Sequence, residues 1–428
     1  MKKLAKTITA LSGSAILLGA CGNAEQAEEE SFELNWSTTP SYSTQNPTES
    51  QANYIADKVS EFEEDYPQVE LNTDLQSTDI DESMTRLLEQ ANTDRAPDVA
   101  AIDGYFFPRF MDYLQPLDDL FDEYEIDIDD YLPFVQDVLT GDDGQIYGLY
   151  MNTDTRVLFY DTDVVEEPPT TWDEAIATSL EIQEEGYNGL IFPGGRGEGT
   201  AVTTLWPLFW AQEGELVDED GNPTFGEGDN YDKMLNVLQA VNEAVESGAT
   251  PQRVSSYGGE NDLNEEIAGG DTAMFLGGNW QVSFLRETLG DDFDSWAVAP
   301  LPQLEEGQFA TSAGGWAWGI FAEEEEKQEA AFDLINRLFV GEEGMTEWTN
   351  VHGGLPSRTS IYEAEDLEAG EFSDTFREYL EDANVRPASQ HYNEISNQMQ
   401  IAVSEVISGG KSPEEALDDA WAVVNEGE

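Results

Sequence analysis

Two carboxylates and two indoles stand where short apolar runs give way to polar or Gly-rich turns. Asp103 closes the run Asp98-Val99-Ala100-Ala101-Ile102, and Asp154 follows the segment Gly148-Leu149-Tyr150-Met151. Trp280 ends Gly277-Gly278-Asn279-Trp280 after the apolar stretch 273–276, and Trp316 follows Gly314-Gly315 at the head of another, 316–320. Side chains where a chain turns line clefts more readily than cores. An indole face packs on the C–H face of a pyranose and a carboxylate accepts from two hydroxyls, so the set reads as carbohydrate recognition. Two acids flanking a sugar could also serve as acid and nucleophile of a glycoside hydrolase, at a separation of ~5 Å. For any single Trp, plain core packing is the competing explanation.

Other chemistries lack their parts. His352 and His391 stand apart with no partner at metal-ligand spacing, and no Gly-x-Ser-x-Gly elbow occurs, so zinc hydrolysis and serine acyl transfer are not expected. The loop Gly194-Gly195-Arg196-Gly197-Glu198-Gly199-Thr200 has Thr200 where a phosphate loop needs Lys, and it reads as a tight turn lining a cleft. In the acidic stretch 218–223 the glycine falls too early for a calcium loop, which leaves a hairpin turn. No metal and no cofactor is expected.

The formal net charge is −72, with 18 Lys and Arg against 90 Asp and Glu. Such a chain repels nucleic acid and anionic headgroups. Aromatic residues make up 11% of it, enough to build cores, so the acid belongs to the surface and not to a disordered chain. Self-repulsion at this density is relieved in ~1 M salt, where the Debye length falls to ~3 Å, and a saline or halophilic habitat is expected.

The single cysteine, Cys21, follows Leu18-Gly19-Ala20 at the end of a short apolar run opened by Lys2, Lys3 and Lys6. This is a lipobox: residues 1–20 read as a lipoprotein signal peptide, Cys21 as the lipidated residue, and the polar stretch 21–31 as a tether. Disulfides are then excluded, stability must come from packed cores, and the protein is expected on the extracellular face of the cell membrane, held by lipid alone.

The elements that must carry the site alternate. Residues 32–36 and 69–75 have strand periodicity, residues 54–62 and 84–91 helical spacing, and 98–103 is a short apolar strand. Further on, 146–149, 157–160, 189–192, 273–276, 296–299 and 316–320 read as strands. Thr171-Trp172-Asp173-Glu174 opens a helix as a capping box, and the glutamates 323–326 open another. Alternating strands and helices imply an α/β fold with largely parallel sheets, too long for one core.

These segments, taken in order, resemble the family 1 extracellular solute-binding proteins, the sugar-capturing subunits of ABC importers, and within them the binders of trehalose and maltose. The resemblance rests on Ala96-Pro97-Asp98-Val99 through Asp103, Leu114-Gln115-Pro116-Leu117-Asp118, Gly144-Gln145-Ile146-Tyr147-Gly148-Leu149, Pro169-Thr170-Thr171-Trp172, the 273–280 segment, and Ala299-Pro300-Leu301-Pro302 followed by Gly314-Gly315-Trp316. It implies a two-lobed periplasmic-binding-protein fold of type II, each lobe a mainly parallel sheet flanked by helices. Lobe 1 would be 32–151 plus 299–341 and lobe 2 would be 152–298 plus 342–428, with crossings near 149–155, 297–302 and 341–345. It also implies a non-catalytic, monomeric receptor that closes on a saccharide and docks on ABC permease subunits. By position, Asp103 and Asp154 match hydroxyl-binding carboxylates, Trp280 and Trp316 stacking aromatics, and Arg86 a hydroxyl-binding arginine, while Tyr105, Glu198 and Gly315 join the cleft lining. The loop 41–45 has no acid at the matching place, and Glu49 lies further along.

Overall fold

The computed structural model describes residues 31–426 apart from 219, 369, 371, 382, 388 and 390; Cys21, the signal peptide and all but the last residue of the tether lie outside the described residues. Among the described residues there are eight strands: β1 Phe32–Thr38, β2 Val69–Leu75, β3 Val99–Asp103, β4 Gly148–Asp161, β5 Met274–Gly278, β6 Trp296–Ala299, β7 Ala313–Ile320 and β8 Leu355–Pro356. β1 pairs in parallel with β2 and with β3, as strand–helix alternation requires. The helices Glu49–Asp65 and Ile80–Ala91 make those crossovers.

Beyond β3 the expectation of largely parallel sheets gives way. β7 runs antiparallel to β3, and β4 runs antiparallel to β5, β6, β7 and β8. The reason is that β7 and β4 are not crossover products of one lobe but strands arriving from the other. β4 is one strand of 14 residues where two were expected. Its first part, to Thr155, pairs with β7, and from Arg156 onward it pairs with β5 and β6. It is thus shared by both halves of the molecule, and Asp154 and Arg156 flank the changeover. Residues 189–192 form no strand; the segment contributes one parallel bridge, Ile191 to Phe275, beside that of the preceding Asn188 to Thr272.

Two apolar cores flank this shared strand. One holds Trp36, Ile102, Trp318 and Phe339, with the Trp318 indole stacked on Phe339 at 5.4 Å; the other holds Phe159, Phe275, Trp206 and Met399, with Phe159 stacked on Phe275 at 4.7 Å. Chain membership changes from one core to the other between Met151 and Val157, between Leu301 and Ala317, and between Trp348 and Leu355. Ala299 belongs to the second core because β6 pairs with the far half of β4, and Trp348 belongs to the first because it packs edge-on to Phe339 at 5.1 Å.

Local signals behave as their chemistry predicts. Thr171 Oγ1 accepts from the Glu174 amide while Glu174 accepts from the Thr171 amide, so the capping box opens the helix Trp172–Glu184. The glutamate run precedes and opens the helix Glu325–Ile335, whose buried face carries Ala330, Ala331, Leu334 and Ile335.

Candidate functional site

A cavity of about 240 Å³ lies between the two cores, at the β4 changeover. Asp103 enters it from the end of β3, Asp154 and Arg156 from β4, and Gly315 and Trp316 from the start of β7. Trp280 enters from the cap of the helix Gln281–Leu289. Glu198 comes from the Gly-rich loop. Six of the eight cleft residues expected from sequence therefore meet in one place.

Glycine makes that convergence possible. A Cβ at 315, where φ is +149°, would collide with the Asn152 carbonyl across the β4–β7 ladder, and a Cβ at 278 would collide with the Trp280 ring. The loop glycines allow close backbone contact: Cβ atoms at 197 and 199 would strike Gly258 and Gly259, and the Gly195 amide donates to the Tyr257 carbonyl at 2.7 Å.

The charged part of the lining forms two buried ion clusters. In the first, Arg386 Nη2 donates to Asp103 Oδ1 at 2.7 Å and Nη1 to Glu198 Oε1 at 3.4 Å. Glu198 also accepts from Tyr392 Oη and from Ser396 Oγ, at 2.6 Å for the latter. In the second, Arg156 is paired with Asp154 and, at 3.4 Å, with Glu260. Four carboxylates thus face two guanidinium groups. The burial of Asp154 raises its pKa above the ordinary aspartate value despite the attraction of Arg156 and Arg386. Burial, reinforced by Asp154 and Asp103, holds the Tyr42 hydroxyl firmly protonated, so it remains a donor.

The two indoles differ in what covers them. The Arg156 guanidinium lies 5.0 Å from the Trp280 ring centroid, a cation–π contact on one face. Trp316 meets Tyr42 edge to face at 5.7 Å. Both are partly exposed, whereas Trp36, Trp206, Trp318 and Trp348 are fully buried and belong to the cores.

Two expected residues stand elsewhere. Arg86 is exposed on the helix Ile80–Ala91, because Ser83, Met84, Leu87 and Ala91 form the buried face and position 86 points away from it. Tyr105 does not line the cavity; it braces Arg386, whose guanidinium sits 5.0 Å over its ring, and its hydroxyl donates to the Ser389 carbonyl at 3.1 Å. Glu49 is exposed at the start of its helix, and the opening loop contributes Thr39, Pro40, Ser41 and Tyr42 instead. Sequence reasoning missed Arg156, Arg386, Glu260, Asn152 and His352. A usable signal existed for Arg386: cations are so scarce in this chain that one in an irregular segment needs a reason.

A cleft between two lobes, walled by paired charges and aromatic faces, defines a two-lobed ligand-binding protein. The chain belongs to the bacterial extracellular solute-binding proteins, whose family profile matches residues 58–372. A probable ABC transporter-binding protein of Deinococcus radiodurans is 28% identical over 291 residues, 64% of this chain and 67% of that one. The arabinooligosaccharide-binding protein of Halalkalibacterium halodurans is 22% identical over 398 residues, 86% of this chain and 85% of its own length. Among solved structures, maltose-bound MalE3 of T. maritima superposes with a TM-score of 0.80 at 21% identity, covering 92% of this chain and 99% of that one.

Proposed function

We propose that the protein is a receptor for a di- or oligosaccharide, which it delivers to the permease of an ABC importer. The carrying observation is the convergence of Trp280 and Trp316 with Asp103 and Asp154 on one interlobe cleft. Stacking faces beside carboxylates suit a neutral ring bearing hydroxyls, and a surplus of carboxylates disfavours an anionic ligand. The names of the similar proteins, which bind arabinooligosaccharide and maltose, point the same way. Calorimetric titration with saccharides, followed by recovery of the sugar, tests the reading.

Sugar would act by favouring the closed arrangement of the lobes, which share β4 as one of three connections. A retaining hydrolase would need a pair of carboxylates free to face the glycosidic bond, whereas Asp103 and Asp154 are each paired with an arginine. Lipid on Cys21 and the following tether would keep a monomeric receptor at high effective concentration near its permease. A Cys21→Ser variant that stays in the membrane fraction would contradict that anchor. The acidic surface fits a saline habitat.

A further inference from the structure

Among the described residues, three that line this same cleft each carry a buried side-chain atom without a protein partner: Thr39 Oγ1, Asn152 Oδ1 and His352 Nδ1. Leaving a buried donor or acceptor unpaired is costly, and three such atoms in one cavity need a common reason. They come from three separate elements. Thr39 follows β1, Asn152 lies on β4 at the register shift opposite Trp316, and His352 ends the helix Glu342–His352. The Tyr42 ring ties them to the aromatic wall, 6.2 Å from the His352 ring and 5.7 Å from Trp316.

The imidazole is held by its face. It stacks on Trp348 at 4.9 Å with 21° between the planes, and Gly353, at φ +75°, terminates the helix beneath it. Ser283 Oγ donates to the His352 carbonyl at 2.6 Å, which anchors that terminus to the helix Gln281–Leu289. Gly354 passes so near that a Cβ there would stand 2.8 Å from Nδ1. Burial pushes the imidazole pKa down to about 4, so the group is neutral near pH 7.

The donor and acceptor count selects the partner. Asn152 Oδ1 only accepts, while the threonine hydroxyl and a neutral imidazole nitrogen can either accept or donate. A carboxylate or phosphate cannot donate to Asn152, whereas a hydroxyl donates and accepts at once. We propose that Thr39, Asn152 and His352 form a hydroxyl-binding corner, distinct from the two ion clusters, that grips one sugar ring and decides which saccharides the cleft accepts. The inference rests on the sugar-receptor reading. A corner built to bond a hydroxyl rejects an analogue lacking it far more strongly than an apolar wall could.

The chain has only two histidines, so a protein labelled with 15N-histidine reports His352 directly. Maltose, maltotriose, trehalose and lactose are titrated in turn with calorimetry alongside, and a His352→Phe variant, which keeps the stacked ring, assigns the signal. On saturation with a saccharide that binds, the His352 Nδ1 resonance should move, and the variant should bind that saccharide about tenfold more weakly. A saccharide that binds while the His352 resonance stays still would overturn the proposal, and so would a variant of unchanged affinity. If none of the four binds, the sugar-receptor reading fails first and this inference falls with it.

Discussion

Arg386 Nη2 lies 2.7 Å from Asp103 Oδ1 across the cleft, joining a loop packed on one core to the strand end of the other over 283 residues of chain. Both side chains are buried, Arg386 being 8% and Asp103 6% exposed. A sugar hydroxyl that bonds Asp103 must therefore share it with, or take it from, a contact that already links the lobes.

Removing one partner of a buried pair leaves the other charge uncompensated, which costs more than the pair itself contributes. Arg386→Ala strands both Asp103 and Glu198, and the variant should lose about 3 kcal/mol in urea unfolding. Small-angle scattering of the sugar-free variant should also give a larger radius of gyration than the parent. Unchanged stability and radius together would show that the contact does not hold the lobes.

Trp316 should act as a stacking platform, since its ring meets Tyr42 edge-on. Trp316→Ala should weaken saccharide binding by more than ~1 kcal/mol, and should also cost some stability because the ring packs against the first core. Trp280→Ala should be felt in stability as well, because it uncovers the Arg156 guanidinium. Equal affinity of Trp316→Ala and the parent would take that ring out of the site.

Acid should destabilise the protein through His352. Its imidazole has its pKa lowered to about 4 in the fold, against an ordinary 6.5. Between those values the unfolded chain binds a proton that the native state refuses, so the stability present above pH 6.5 is lost as the pH falls. Asp81 works in the opposite sense. Burial first, then the nearby Glu198 and Asp79 carboxylates, push it up to about 6 from 3.8, so the native state holds the extra proton and gains stability on acidification over that window. The difference between parent and His352→Phe isolates the imidazole: from pH 7 to pH 5 the parent should lose about 2 kcal/mol more than the variant. Parallel pH profiles would contradict a neutral buried imidazole.

Salt should stabilise the fold. With a formal net charge of −72, self-repulsion opposes the compact state in dilute buffer and is screened as salt rises. Thermal melts from 0.05 M to 2 M NaCl, run beside matched sucrose controls for general exclusion effects, should show a rising midpoint that sucrose does not reproduce. A flat salt response would remove the link between the acidic surface and a saline habitat.

Much of this site was legible because Asp103, Trp280 and Trp316 each sit next to a strand end or a glycine pair, and a strand end facing a second domain is where a cleft forms, whereas Asp154 lies in mid-strand where β4 changes partners. The α/β alternation likewise follows from periodicity up to β3. Beyond it, pairing direction depends on strands meeting from opposite lobes, which no local period encodes, so β4 read as two strands and the sheets as mostly parallel. Arg386 escaped notice because it lies in an irregular segment before Pro387, and its partners are set by tertiary packing. Arg86 misled for the reverse reason: its local context fits, but the helix turns it to solvent. His352 had only the weak mark of a lone histidine before Gly353-Gly354, and its unpaired nitrogen becomes visible only in three dimensions.

A receptor must bind its saccharide in this cleft without altering it. Calorimetric titration with maltose, maltotriose, trehalose and lactose, with each sugar recovered afterwards and analysed by chromatography, tests it most directly. A saturable heat with at least one of them, and the same sugar recovered intact, is the predicted result. Binding to none, or recovery of cleaved products, would contradict it.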